Sequence, residues 1–329
     1  MHSLVLTQDG LQVADMPRPP VMPGEVRIEV RAVGVCGTDI QIWQGEKEAP
    51  LPLILGHEIS GVVHKSSVND IEEGMMVTTE VDIPCGRCWY CKRGHSHICP
   101  KRKTLGIDVD GGMAEYVSVP ASLIHPLPED VGTQTGVFAE PLASAIGTAK
   151  RTGIRENESV AIIGSGRLGL LVAQVYDAYG ANVYVVGRNK WQLGLARRVG
   201  LRNTLLAHDD DWIREIKTAT QGVGPRVVVE CTGTPKGAQM ALEVVRSRGI
   251  IALKSLHGKE VPLNTDRIVM KELRIVGSSR GPYDEALDML QKGRIEVNRL
   301  ISKEFPLEEG EEAFRHSTKP ETTKVIVRI

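Results

Sequence analysis

The chain has 329 residues, of which 41% are hydrophobic and 25% charged, with 40 Lys and Arg against 41 Asp and Glu for a formal charge of −1. Such a composition belongs to a folded globular protein of about two domains and excludes a disordered, collagen-like or coiled-coil chain. The even charge balance supplies no long-range field for phosphate backbones or anionic lipid, so neither nucleic acid nor a membrane surface is an expected partner.

The N-terminus, Met1 to Asp9, carries no cationic leader segment, and no apolar run approaches the roughly 18 residues of a membrane span. A cytoplasmic location is therefore expected. Residues 25–30 alternate polar and apolar side chains, as a half-buried strand does, and Pro23-Gly24 and Glu73-Gly74 mark turns. The first part of the chain thus reads as an irregular, mostly β domain. Within it, Cys36 lies in Gly34-Val35-Cys36-Gly37-Thr38-Asp39 and His57 in Leu55-Gly56-His57-Glu58. Taken alone, one cysteine and one histidine decide nothing.

Four of the six cysteines follow as Cys85-x2-Cys88-x2-Cys91-x7-Cys99. In a chain of this size without a secretion signal, clustered thiols bind metal more often than they form disulfides. Two-residue gaps let successive sulfurs fold around one ion, and four thiolates fill the tetrahedral shell of zinc, leaving no place for substrate. A structural zinc is the reading; an iron–sulfur cluster uses the same ligands.

From Ser159 the pattern becomes strand, glycine turn, helix, strand. Residues 160–163 are a fully apolar strand, and Gly164-Ser165-Gly166-Arg167-Leu168-Gly169 follows at once. A strand before and an amphipathic helix after make this a dinucleotide-binding turn, with Gly164, Gly166, Leu168 and Gly169 facing the cofactor. Further buried strands are read at 183–186, 227–231, 250–253 and 273–276, so the second domain is a doubly wound parallel sheet. NAD-specific sites place an acid at the end of the second strand, where it accepts hydrogen bonds from the ribose. Here that strand runs into Gly187-Arg188-Asn189-Lys190. Gly187 leaves room for a 2′-phosphate, Arg188 suits it as a two-pronged partner and Lys190 adds charge, so NADP(H) is favoured over NAD(H). The alternative is that Arg188 stacks on adenine in an NAD enzyme. A last strand, 324–329, reads as returning to the first domain.

Five ordered segments now stand together: Cys-Gly-Thr-Asp at 36–39, Gly-His-Glu at 56–58, the cysteine quartet, Glu140-Pro141-Leu142-Ala143 and the glycine turn. Over essentially its whole length the chain resembles the zinc-dependent medium-chain dehydrogenases, the relatives of alcohol, sorbitol, threonine and glucose dehydrogenases. The resemblance implies an α/β chain with a GroES-like catalytic domain over 1–143, completed by 278–329, and a Rossmann domain over 144–277. It implies two zincs per chain: a structural ion on the quartet, and a catalytic ion whose ligands Cys36, His57, Glu58 and Glu140 resemble the family's. Asp39 matches the acid that holds the histidine in one tautomer, and Thr38 the hydroxyl that carries the alcohol proton away. Hydride transfer between a polar alcohol (a polyol, sugar or hydroxy acid) and NAD(P) follows, in a homodimer or homotetramer. The neighbouring readings are a threonine or glucose dehydrogenase proper, or a zinc-bearing relative without turnover.

Two departures stand out. Many relatives carry a histidine where this chain has Gln41, an amide that cannot relay a proton near neutral pH. After the strand 250–253, where relatives carry small or apolar residues, stands Lys254. With Arg280 it is a candidate partner for an anionic substrate group, and Trp43 is a further candidate substrate contact; the alternative for the two cations is solvent or cofactor phosphate.

Overall fold

Strand Glu25–Gly34 organises the first half of the molecule, because its buried side chains alternate and its last three are all buried. In the computed structural model, which describes residues 1–208 and 211–329, it pairs antiparallel with Glu58–Ser66, Tyr116–Pro120 and Lys324–Arg328. The last of these also runs parallel to Ile301–Pro306. The C-terminal tail is thus sewn into a sheet whose other strands come from the first 126 residues. Val26, Ile28, Val30, Val33 and Val325 meet Leu4, Leu53 and Phe314 in one apolar core. A two-stranded ladder, Asp82–Ile83 with Lys103–Thr104, closes the base of the cysteine segment.

The chain divides by its contacts into one unit of residues 1–140 and 301–329 and a second of residues 141–300. In the second unit six strands form a parallel sheet in the order 203–206, 182–187, 159–163, 227–230, 250–253, 274–277. Numbered along the chain this is 3-2-1-4-5-6, the order of the Rossmann fold, with a topological switch beside the first strand. Strand Ser159–Ile163 is central and its last four residues are buried, as a strand covered on both faces must be. Strand Asn203–Leu206, which the sequence pattern does not announce, lies at the edge and is at most half-buried.

Residues 278–300, expected with the first unit, belong to the second. The reason is close backbone packing. A Cβ on Gly281 would stand 1.9 Å from the Ala143 carbonyl oxygen, and one on Gly147 would stand 2.0 Å from that of Arg280. Gln174 adds a reciprocal pair of hydrogen bonds to the Glu296 backbone at 2.8 and 3.2 Å.

Candidate active site, metal centre and dinucleotide turn

Helix Gly37–Trp43 begins immediately after Cys36, which is its N-cap, and this turn sets the local geometry. Asp39, on the first helical turn, is fully buried. Its Oδ2 accepts the Cys36 N–H at 2.8 Å, and its Oδ1 accepts the Gly56 N–H at 3.3 Å. The same Oδ1 lies 3.3 Å from His57 Nδ1. One carboxylate therefore ties the cysteine segment to the histidine segment and faces His57 Nδ1, the side from which an acid orients an imidazole. Burial works against the imidazolium, but the charges and hydrogen bonds of Asp39 and Cys36 outweigh it and carry the His57 pKa well above its ordinary 6.5. Thr38 and Gln41 lie half-buried on the same helix. Trp43, a candidate substrate contact, packs edge-on against Phe314 with ring centres 5.7 Å apart.

Glu58, the first residue of strand Glu58–Ser66, meets a partner that the sequence pattern misses. The Lys324 ammonium, on the C-terminal strand, donates to Glu58 Oε2. Burial and the charge of Glu140 push the Glu58 pKa up, and Lys324 and His57 hold it back. Lys324 is the single charge inside the apolar run Lys324-Val325-Ile326-Val327, which is the signal that could have found it. Gly34 makes room for the pair: a Cβ there would lie 2.0 Å from Glu58 Oε2.

The cysteine quartet converges. The four sulfurs lie within 4.8 Å of one another, with Cys88 Sγ 3.5 Å from Cys91 Sγ and 3.7 Å from Cys99 Sγ. Backbone N–H groups of Arg87 and Cys88 pull the Cys85 thiol down to about 6, whereas burial and the neighbouring thiols push Cys91 up to about 11. A thiol acidified by its own loop is a ready metal ligand. At the base, Thr104 Oγ1 donates to Asp82 Oδ1 at 2.7 Å. Among the described residues this quartet is the gathered set of metal-ligand atoms; Cys36, His57, Glu58 and Glu140 do not form a second such cluster. As donor types, a thiol, an imidazole and two carboxylates nonetheless match what zinc takes.

In the second unit the glycine turn leaves strand Ser159–Ile163 at its carboxyl end. Gly164 has φ of +113°, and a Cβ on it would stand 2.5 Å from the Cys231 carbonyl oxygen, so only glycine fits. Gly166 caps helix Arg167–Ala178 and has open space above its Cα, while a Cβ on Gly169 would strike the Gly164 carbonyl at 1.9 Å. An open cradle at a helix start suits a pyrophosphate. Leu168 is half-buried beside it. Gly187 ends strand Asn182–Gly187, and Arg188 and Lys190 are exposed just beyond.

Lys254 does not reach for an anion in solution. It is 8% exposed, and its ammonium donates to Ser144 O, Ser144 Oγ and Ser278 O at 3.0, 2.6 and 2.9 Å. A charge taken from water must find acceptors, and these carbonyls and this hydroxyl supply them. Its expected role as a substrate anchor is thereby corrected to a tether between two segments of the same unit. Arg280 is half-buried near this loop.

Fold and site together define an oxidoreductase of the zinc and dinucleotide type. Residues 22–129 match the alcohol dehydrogenase GroES-like domain, and residues 168–292 match the zinc-binding dehydrogenase domain. The chain is 32% identical to the sorbitol dehydrogenase of Halalkalibacterium halodurans over 99% of both chains. It is similar to a zinc-binding dehydrogenase of Sinorhizobium meliloti solved with NADP, at a TM-score of 0.93 and 31% identity over 100% of this chain and 99% of that one. An alcohol dehydrogenase of Escherichia coli CFT073 complexed with NADH gives the same TM-score at 26% identity, again over 100% and 99%. The chain belongs to the zinc-type medium-chain dehydrogenase family. It is a zinc-dependent, NAD(P)-linked oxidoreductase of the alcohol dehydrogenase kind, and among the described residues no helix is long and apolar enough to cross a membrane.

Proposed function

We propose that this enzyme interconverts a polar secondary alcohol, of the polyol, sugar or hydroxy acid type, and its ketone, with NADP(H) preferred. The observation that carries the reading is Asp39 Oδ1 lying 3.3 Å from His57 Nδ1 while Oδ2 holds the Cys36 backbone, a buried arrangement that orients an imidazole beside a thiol. Cys36 and His57 would hold a catalytic zinc, with Glu58 and Glu140 as the carboxylates of the set, and the cysteine quartet would hold a structural one. When bound, zinc would supply Lewis acidity to the alcohol oxygen and the nicotinamide would supply the hydride acceptor. Asp39 keeps His57 in one tautomer throughout. Thr38 offers a hydroxyl for the departing proton, and because Gln41 cannot titrate, the proton passes from there to water.

Arg188 and Lys190, exposed after Gly187, support the NADP preference, as does the NADP held by the Sinorhizobium meliloti relative. A polar alcohol is supported by the sorbitol dehydrogenase relative. A homo-oligomer is supported by Ile275, on the edge strand Arg274–Gly277, and by Val269 and Met270 in the helix before it, the last 82% exposed. A cytoplasmic location accords with four thiols gathered as a metal site rather than paired as disulfides. The test is a panel of polyols, sugars, threonine, hydroxy acids and simple alcohols with each cofactor, run beside His57→Ala and metal analysis. The reading requires His57→Ala to lose turnover, release about one zinc and keep NADPH binding. Full turnover in that variant would overturn it.

A further inference from the structure

Position 187 matters because a carboxylate there would repel a 2′-phosphate. What keeps the position empty lies elsewhere in the chain. A Cβ on Gly187 would stand 2.1 Å from Ser165 Oγ, 2.7 Å from Ser165 Cβ and 3.2 Å from Leu193 Cδ2. The Ser165 atoms cannot easily retreat, whereas the Leu193 methyl needs to give only a few tenths of an ångström. Ser165 is 3% exposed, and its hydroxyl donates to Gln192 Oε1 at 3.0 Å. Its backbone is fixed by the preceding residue, since the Gly164 N–H donates to the Val186 carbonyl at 2.8 Å and Gly164 packs on Cys231. Leu193 is buried on helix Lys190–Arg198, whose start is capped by Asn189 Oδ1 through the Trp191 and Gln192 N–H groups.

We propose that Ser165, the second residue of the glycine turn, is a specificity-determining residue for the cofactor, because it bars any side chain from position 187. The inference rests on the NADP reading and deepens it. Arg188 and Lys190 attract a 2′-phosphate, whereas Ser165 prevents the acid that would reject it and would grip the 2′-hydroxyl of NAD. Removing the hydroxyl alone clears the 2.1 Å contact but leaves Ser165 Cβ at 2.7 Å. Only glycine at 165 clears both. A change of cofactor therefore requires two substitutions, and neither suffices alone.

The experiment measures NADPH and NADH dissociation constants by nicotinamide fluorescence, and melting temperatures, on the full chain. The variants are Ser165→Gly, Gly187→Asp, Gly187→Ala and the two doubles with Ser165→Gly. Gly187→Asp alone should weaken both cofactors and melt early. Adding Ser165→Gly should restore NADH binding by about tenfold or more while NADPH stays weak, the size expected of directly coupled neighbours. Uncharged Gly187→Ala separates the steric inference from the cofactor reading, because its melting loss should be recovered in Ser165→Gly/Gly187→Ala whichever cofactor the wild type prefers. Wild-type preference for NADH would overturn the NADP reading alone. Strictly additive melting shifts, or a Gly187→Asp enzyme that melts normally and binds NADH more tightly than wild type, would overturn the role of Ser165.

Discussion

Lys324 and Glu58, 266 residues apart in sequence, form an ion pair in which the two residues are 2% and 1% exposed. Each sits on a strand flanking Glu25–Gly34, and Gly34 lacks the side chain that would displace the carboxylate. Breaking such a pair leaves one charge buried without compensation. Lys324→Met should therefore destabilise the fold by about 3–5 kcal/mol, read from urea unfolding. Adding Glu58→Leu to the same chain should recover most of the loss. A single variant that unfolds at the wild-type urea concentration would mean that the pair contributes nothing.

The cysteine lobe gathers four thiols over a two-stranded base. Cys88→Ser should release about one metal ion per chain and lower the melting temperature, since ligand binding and lobe folding are coupled. Metal content by plasma emission and a thermal melt decide it together. Unchanged metal content in a normally melting variant would remove the structural role.

Lys254→Met tests the corrected role of that lysine. It removes the ammonium that donates to Ser144 Oγ and to the Ser278 carbonyl, which should cost on the order of 2 kcal/mol. KM should shift alike for charged and neutral alcohols. A rise confined to anionic substrates would restore the lysine to substrate binding.

Glu285 joins three helices of the second unit, accepting from Tyr179 Oη at 2.5 Å and pairing with Lys150. Burial opposes its charge, but Lys150 and Tyr179 outweigh burial and hold its pKa below the ordinary 4.5. A carboxyl whose folded pKa is depressed stabilises the fold above its unfolded pKa and loses that benefit as pH falls through the folded value. The stability deficit of Glu285→Gln should thus be constant near neutrality and shrink below about pH 4.5. Thermal melts across that range check it, and a deficit independent of pH would assign the effect to packing alone.

Much of the site was legible because its signals are local. Thiols two residues apart must lie close in space wherever the loop goes, and so the quartet was read from spacing alone. The same holds for the glycine turn, where a fully apolar strand and an amphipathic helix bracket three glycines. Cys36, Asp39 and His57 were recognisable only through resemblance, since nothing in their spacing requires Asp39 to touch His57. Strand Asn203–Leu206 escaped because one exposed and three half-buried edge residues carry no strong alternation.

Sequence by itself determined the two-part α/β architecture, the order of buried strands and the chemical character of the metal and dinucleotide segments, because hydrophobic periodicity and short-range spacing act within a few residues. Tertiary structure alone decided that Lys324 meets Glu58, that Lys254 turns inward to Ser144 and Ser278, and that Ser165 fills the space beside Gly187. A lysine's long stem lets its ammonium reach in many directions, and burial makes the nearest carbonyl or carboxylate its partner. Which acceptor is nearest depends on strand pairing across hundreds of residues, which no local pattern encodes.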